Sequence, residues 1–167
     1  MVSPSTAPFS KFFALEIFVI GATWITAGTL NLLGIYAVHG YILNNNPPGR
    51  IAQGVATILF GNAAYVGGAY TAYWGLALHY ITALFFTVLY FILYPQVPFF
   101  QKHTLAGGIL YGLIVWVFMN FIVLPFSDAG LSGFTFPDTG WSLLLTVFLL
   151  GLPIALIMHL YFRRRKK

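Results

Sequence analysis

The chain alternates between long apolar runs and short polar connections. The apolar runs cover residues 12–38, 69–94, 105–126 and 141–162, and each is free of charged residues through its middle. A helix of roughly 20 apolar residues crosses a hydrocarbon core that is about 30 Å thick. The pattern therefore predicts an all-α fold, an integral membrane bundle of four transmembrane helices in a single membrane domain over residues 1–167.

The residues between the first two runs predict a different kind of element. The motif "NNNPPGR" is typical of a turn that leads into a helix, and the apolar stretch after it is rich in small residues and barely long enough to cross a bilayer. Irregular backbone at membrane depth is stable only inside protein or beside a wet cavity. We therefore expect a short interfacial or re-entrant helix over residues 48–66 that packs on the bundle as a lid.

Composition and charge strengthen the membrane assignment. Hydrophobic residues make up 59% of the chain and charged residues 7%, and there is no cysteine, which excludes disulfides and thiolate catalysis. The net charge of +5 comes mostly from the basic tail at 163–167, so it indicates orientation and contact with lipid headgroups rather than nucleic-acid binding. In a four-span topology Lys11, Lys102 and the tail share one side and Arg50 lies on the other. Both termini are therefore expected in the cytoplasm.

Small residues recur at intervals of four along every predicted span. This spacing places them on one helix face, where small side chains let membrane helices approach closely. Each face also carries a strongly polar residue. The faces are Thr23, Ala27 and Asn31 on span one; Thr71, Gly75, His79, Ala83 and Thr87 on span two; Gly108, Gly112, Trp116 and Asn120 on span three; and Gly151, Ala155 and His159 on span four.

Depth along the helices groups these polar residues into two sets. At 1.5 Å per residue, Asn31, His79 and Asn120 all lie roughly 10 Å below the outer surface. They predict either a hydrogen-bonded structural cluster or a ligand or proton site, with His79 as its ionisable member and Arg50 at its mouth. Near the inner end, Glu16 and His159 predict a carboxylate–imidazole pair. Glu16 also lies close enough to the interface for its carboxylate to reach water.

Cofactor chemistry receives little support from the sequence. The histidines nearest to facing positions, His79 and His159, differ by about 15 Å in depth, which is too far to ligate one haem iron. The His, Asp and Glu residues lack a helical spacing suited to a metal. We therefore expect no metal and no cofactor.

Two stretches resemble a known family. They are "GRIAQGVATILFGNAAYVGGAYTAYWGLALHYITALFFTVLYF" and "LAGGILYGLIVWVFMNFIVLPFS", and over about residues 28–128 they are similar to bacterial four-helix inner-membrane proteins of the YagU type. The resemblance implies a bacterial inner membrane and four spans, and it adds Gln53 and Tyr111 to the candidate site, but it implies no reaction. The matching positions are Arg50, Gln53, Gly54, Gly61, Gly67, Gly68, Leu78, His79, Tyr111, Gly112, Met119, Asn120, Leu124, Pro125 and Ser127.

Three functional classes fit these observations. The favoured one is an accessory or assembly subunit of a larger membrane complex, because the loops are minimal and the spans are aromatic. The second is a binding or transport module for a small molecule or lipid, with Asn31, His79 and Asn120 in an outward pocket that residues 51–68 cover. Arg50 at the mouth of this pocket would attract an anionic headgroup or a small anion. The third is a membrane enzyme acting on a lipid or quinone with His79 as general base, although no orienting partner shares its level. Expected partners are membrane lipids, other subunits or further copies of the chain.

Overall fold

The structure is a computed structural model that describes residues 7–43, 45–128 and 138–165, with side chains described from residue 13 onward except at 138. Helices and short turns account for these residues, and no strand occurs among them. The predicted all-α fold is therefore confirmed. The last two residues of the predicted basic tail lie outside the described ranges, whereas its first three residues continue the final helix.

The first third of the chain forms two helices with irregular ends. Helix α1 spans Ala7–Ala37 and continues into a π-helical segment, Val38–Leu43. Helix α2 spans Pro48–Phe60 and continues as a 3₁₀ helix over Gly61–Val66. A helix lies at residues 48–66 as the sequence predicted, and its interfacial or re-entrant position remains a prediction. Proline at its first position suits a helix start, because the ring fixes φ and the missing N–H would have no intrahelical partner.

The rest of the chain forms the remaining helices of the bundle. There are two further π-helical segments in the described residues: Met119–Val123 ends one helix, and Thr146–Gly151 lies between two others. The short helix α4 was not predicted from the sequence. The α-helices are α3 (Gly68–Leu93), α4 (Pro98–Lys102), α5 (Thr104–Phe118), α6 (Asp138–Leu145) and α7 (Leu152–Arg165).

Four of the described helical stretches are long and apolar enough to cross a membrane. They are Phe13–Leu43, Gly68–Leu93, Thr104–Val123 and Thr139–Arg165. Hereafter they are called spans one to four, and their ends differ from the predicted ones by a few residues. The number of such helices is as predicted. Insertion in a bacterial inner membrane and cytoplasmic termini remain predictions.

Small residues set the closest contacts between spans. Span one packs against α3 and against span four, and span four packs against α5. At the contact between α5 and span four, a Cβ added to Gly151 would lie 2.6 Å from the Gly108 carbonyl oxygen and 2.7 Å from the Gly112 Cα. Real Cβ atoms essentially never show such distances, so the two backbones touch. The glycine faces on these spans therefore lie where the spacing of four predicted.

Large aromatic side chains fill the space between α3 and α5. The rings of Tyr90 and Tyr111 lie 4.7 Å apart between centroids, and those of Phe86 and Phe118 lie 5.8 Å apart. The Tyr111 hydroxyl donates a hydrogen bond to the Phe86 carbonyl oxygen. Edge-to-face contacts of this kind add about 0.5–1.5 kcal/mol per pair beyond area burial. Aromatic packing thus closes this part of the bundle.

Helix α2 is fastened to the first half of α3. A Cβ on Gly75 would overlap the carbonyl oxygen of Ala52, so the two helix backbones meet there. The Gln53 amide donates to the Gly68 carbonyl oxygen at 2.9 Å, and the Thr71 hydroxyl donates to the Ala64 carbonyl oxygen at 2.6 Å. These contacts hold α2 and its 3₁₀ extension across one end of the bundle.

Candidate functional site

A cavity of about 860 Å³ lies beneath α2, within the bundle. Its volume falls in the range of about 300–1,000 Å³ that is common for ligand sites. Residues from all four spans, from α2 and from the connections beside it form its walls. The polar lining residues are Asn31, His39, Asn46, Arg50, Tyr65, His79, Thr82, Asn120, Ser142 and Thr146.

The structure brings four of the predicted site residues to this cavity and leaves two outside its lining. Asn31, His79 and Asn120, each from a different span, line it together with Arg50 of α2. Gln53 instead makes the hydrogen bonds that join α2 to α3. Tyr111 is almost fully buried, at 1% exposed, and contacts the aromatic layer below the cavity. Gln53 and Tyr111 therefore make structural contacts behind the residues that line the cavity.

The hydrogen bond of His79 fixes its tautomer. Its Nε2 lies 2.9 Å from the Gly28 carbonyl oxygen, and a carbonyl oxygen only accepts, so Nε2 carries the proton. The neutral ring then has Nδ1 as an acceptor, which has no hydrogen-bond partner among the described residues. The Tyr80 ring packs edge-on against the imidazole, with centroids 5.4 Å apart. His79 therefore offers the cavity a positioned acceptor.

Asn31 is the second polar group of the cavity that lacks a full set of partners. The residue is 7% exposed, and its Nδ2 is buried without a hydrogen-bond partner among the described residues. It follows Gly28 by three residues on α1, so it shares the helix face that meets His79. Leaving a buried amide donor unsatisfied costs about 1–3 kcal/mol. A ligand or water oxygen in the cavity would recover that cost.

Asn120 and Ser142 belong to a short hydrogen-bond chain on the opposite wall. The Asn120 amide donates to the Trp116 carbonyl oxygen one turn earlier, at 2.8 Å. The Trp116 indole N–H in turn donates to the Ser142 hydroxyl, also at 2.8 Å, and so joins span three to span four. The amide oxygen of Asn120 remains as an acceptor. The hydrogen bonds of Trp116 therefore fix the positions of Asn120 and Ser142 in this wall.

Arg50 supplies the charge of the cavity. Its guanidinium carbon lies 4.6 Å from the centroid of the Tyr65 ring, a cation–π contact between two lining residues. No Asp or Glu occurs among the lining residues. In the described part of the chain the ion pair joins Arg165 and Glu16, near the other end of α1. The charge of the cavity is therefore positive.

All three π-helical segments border the cavity. His39 comes from the first, Met119 and Asn120 from the second, and Thr146 and Leu150 from the third. π-Helical turns are rare, and they are frequent at functional sites because they turn side chains and backbone groups out of the regular helix. Their convergence from three spans sets this end of the bundle apart from the regularly packed remainder.

Several lining residues were missed by the sequence analysis. Ser142 and Thr146 are spaced by four on span four, and this polar spacing was a usable signal. Tyr65 was unpredictable as a site residue, because its role depends on where the 3₁₀ helix places it beside Arg50. His39 and Asn46 belong to the connection between α1 and α2, where the backbone N–H of Asn46 bonds the His39 carbonyl oxygen at 3.1 Å.

The predicted inner pair of Glu16 and His159 is corrected by the structure. Glu16 accepts hydrogen bonds from Arg165 and from the Tyr161 hydroxyl. His159 Nδ1 lies 2.8 Å from both the Tyr94 and the Thr104 hydroxyl oxygens. A nearby guanidinium attracts a carboxylate more strongly than a neutral imidazole does. Depth alone had placed the two residues together, without showing which way each side chain points.

Comparisons with protein-family models, with curated proteins and with solved structures found no match to this chain. The resemblance to YagU-type proteins therefore remains a prediction. The function is therefore inferred from the geometry and chemistry of the cavity.

Proposed function

We propose that the chain is a small membrane-spanning protein that binds an amphiphilic small molecule or a lipid in the cavity beneath α2. One observation carries this proposal: polar groups from all four spans converge on one cavity, and Asn31, His79 and Asn120 keep hydrogen-bonding capacity that the described residues do not use. Buried polar groups are otherwise satisfied in folded proteins. The unused donor of Asn31 and acceptor of His79 suit a polar ligand group.

The remaining walls favour an amphiphile over a purely polar ligand. Ile35, Ile51, Ile58, Met119 and Leu150 line the same cavity. Apolar walls with a few well-placed polar groups are the usual composition of small-molecule sites. A molecule with a polar head and a hydrocarbon part satisfies both kinds of surface at once.

Binding fits the cavity better than catalysis does. A general base needs an orienting acceptor and a group that activates the substrate within hydrogen-bond reach. The Gly28 carbonyl oxygen orients the His79 ring through Nε2, but it carries no full charge that would increase the basicity of Nδ1. The acidic residues that could increase its basicity do not occur among the lining residues.

The accessory-subunit hypothesis remains open to test. Large apolar side chains such as Phe18, Tyr73, Ile81 and Phe121 are exposed on the outside of the bundle. Such a surface suits lipid chains as well as the helices of another subunit, so it does not separate the two hypotheses. A measurement that weighs both bound molecules and protein partners does.

Native mass spectrometry of tagged protein extracted gently from its membrane provides this test. The informative variant is Asn120→Leu, and the matched control is Gln96→Leu. Both wild-type amides donate to the carbonyl oxygen four residues earlier, from Asn120 to Trp116 and from Gln96 to Ile92, but only Asn120 lines the cavity. The control therefore removes an equivalent local hydrogen bond away from the cavity.

The expected result is a retained small molecule on wild type and on Gln96→Leu that Asn120→Leu loses. Equal retention by both variants, or no retained molecule on wild type, would contradict the proposal. A stoichiometric mass of other protein subunits without a small molecule would support the accessory role instead.

A further inference from the structure

We infer that the ligand of the cavity is an anionic amphiphile whose charged head binds at Arg50. This inference rests on the proposed function and names the class of molecule that the site accepts. Its shared chemistry is a phosphate or carboxylate group attached to a hydrocarbon chain. Four features of the cavity support this inference: its charge, the contact between Arg50 and Tyr65, the polar groups beside Arg50, and the apolar walls of the rest of the cavity.

The charge of the lining residues favours an anion. Arg50 is the only Lys, Arg, Asp or Glu residue among those that line the cavity. A guanidinium at the mouth of a cavity attracts an anion, and the attraction is stronger where the cavity walls exclude water. Arg50 has no ion-pair partner in the part of the chain that the structure describes. A bound anion would supply that partner.

The position in which the Tyr65 ring holds the Arg50 guanidinium suits the binding of a phosphate or carboxylate. The Tyr65 ring lies against the guanidinium, which positions the group while leaving its N–H groups around the edge for other acceptors. A planar guanidinium binds two oxygens of one phosphate or carboxylate with parallel hydrogen bonds. Arg50 itself is exposed and belongs to the first turn of α2, so it lies at the mouth of the cavity.

The groups beside Arg50 add to this preference. The first turn of α2 contains no acidic residue and no side-chain cap, so the positive end of the helix dipole is not neutralised locally. His39 and Asn46, which also line the cavity, lie on the connection that leads into this turn. Asn31 also lines the cavity, and its buried amide nitrogen has no hydrogen-bond partner among the described residues.

The walls beyond the mouth suit a hydrocarbon chain. Ile51, Val55 and Ile58 lie on one face of α2 and point over the cavity, and Phe86 and Val115 close it below. Each buried CH₂ of a hydrocarbon chain contributes about 0.8 kcal/mol. A free inorganic anion would leave this surface unused, so the two parts of the cavity together select an amphiphile.

The test uses the full-length protein in nanodiscs of phosphatidylcholine and three probes. Lysophosphatidic acid carries a phosphate and one acyl chain, monoacylglycerol carries the same chain without the phosphate, and inorganic phosphate carries no chain. Each is titrated against wild type, Arg50→Gln, Arg50→Lys and the control Lys102→Gln. Lys102 is exposed on α4 and does not line the cavity, so the control removes an equal charge elsewhere. Native mass spectrometry gives the bound fraction, and thermal unfolding shows that each variant is folded.

Loss of one charge-assisted contact predicts that Arg50→Gln weakens lysophosphatidic acid binding by about tenfold or more. Arg50→Lys should recover part of the affinity for lysophosphatidic acid. Lys102→Gln should change that affinity by less than about twofold, and Arg50→Gln should change the affinity for monoacylglycerol by less than about twofold. Equal affinity for the two amphiphiles in wild type, with no effect of Arg50→Gln, would overturn the anionic head while leaving the proposed function standing. Inorganic phosphate binding as tightly as lysophosphatidic acid would overturn the amphiphile. Binding of none of the probes to wild type would overturn this inference and count against the proposed function.

Discussion

At the scale of single residues, the chemistry of the cavity depends on which polar atoms the fold leaves without a partner. Two buried threonine hydroxyls are satisfied within their own helix, Thr23 by Val19 and Thr87 by Ala83. Two buried side-chain atoms in the described residues lack a partner, Asn31 Nδ2 and the Tyr90 hydroxyl. Tyr90 is enclosed by aromatic rings, whereas Asn31 lines the cavity. Asn31 is therefore the orphaned group that lies in the wall of the cavity.

Two substitutions of His79 separate its structural role from its binding role. The amide nitrogen of Gln reaches the position of Nε2, so His79→Gln should keep the hydrogen bond to Gly28 and lose the Nδ1 acceptor. His79→Asn should keep a polar atom near Nδ1 and lose the bond to Gly28. Interhelical hydrogen bonds in membranes contribute about 0.6 kcal/mol, up to 1–2. We therefore expect lower thermal stability only for His79→Asn and weaker ligand retention chiefly for His79→Gln.

Equal losses of stability in the two His79 variants would contradict a stabilising hydrogen bond between His79 Nε2 and the Gly28 carbonyl oxygen. Equal ligand retention in both would show that Nδ1 does not contact the ligand. Thermal unfolding and native mass spectrometry on the same preparations give both quantities.

Asn31→Leu should weaken ligand binding and leave the ligand-free protein at least as stable as wild type. Replacing an unsatisfied buried amide by an apolar side chain of similar size removes a desolvation cost of about 1–3 kcal/mol. The ligand-free variant should therefore unfold at the same or a higher temperature than ligand-free wild type, while it loses bound amphiphile. A large drop in the unfolding temperature would instead show that Asn31 makes a structural hydrogen bond.

The sequence predicted the residues of the site better than their roles. Asn31, His79 and Asn120 could be grouped because depth along a helix follows directly from residue count. The number of residues along a helix does not show which direction a side chain faces around the helix axis, or which residue of a neighbouring helix it contacts. For that reason Glu16 was paired with His159 although it contacts Arg165.

At the scale of elements, helix α2 and the π-helical segments shape the cavity. The small, glycine-rich composition of residues 48–66 predicted a separate short helix, and the structure shows one. The π-helical segments had no sequence signal, because the choice between α and π bonding depends on side chains packed from other helices. The existence of the cavity that these segments border could therefore not be predicted from the sequence, although several of its polar lining residues could.

The contact between α2 and α3 is tested by Gly75→Ala. The added methyl would overlap the Ala52 carbonyl oxygen, which forces the two helices apart. Overpacking of this kind costs about 1–3 kcal/mol, so the unfolding temperature should fall and ligand retention should weaken. The matched control is Gly21→Ala, where the methyl meets nothing within 4 Å and helix propensity favours alanine by about 1 kcal/mol. An unchanged Gly75→Ala protein would contradict the close approach of α2.

At the scale of the whole molecule, small and large residues divide the bundle into a closed end and an open end. Glycine contacts draw span four onto α5, while aromatic rings hold α3 and α5 further apart. Where the rings stop, the space between these helices becomes the cavity, and α2 covers it. Hydropathy predicts that four helices could cross the membrane. Which helices are neighbours depends on side-chain shape across the bundle, so only the structure could supply the location of the cavity.

The central claim is that a membrane-spanning bundle encloses a polar cavity that water and an amphiphile can enter. Because the chain has no cysteine, single cysteines can be introduced cleanly at two adjacent positions of α3, Thr82→Cys and Ile81→Cys. Thr82 lines the cavity, whereas Ile81 is 59% exposed on the outside of the bundle at the same depth. The measurement is the labelling rate of each variant in membranes with a charged, membrane-impermeant thiol reagent.

We expect rapid labelling of Thr82→Cys that lysophosphatidic acid slows, and little labelling of Ile81→Cys, which lipid chains should shield. Equal rapid labelling at both positions would contradict a membrane-spanning α3. Labelling of Ile81→Cys alone, or of neither position, would contradict a water-accessible cavity.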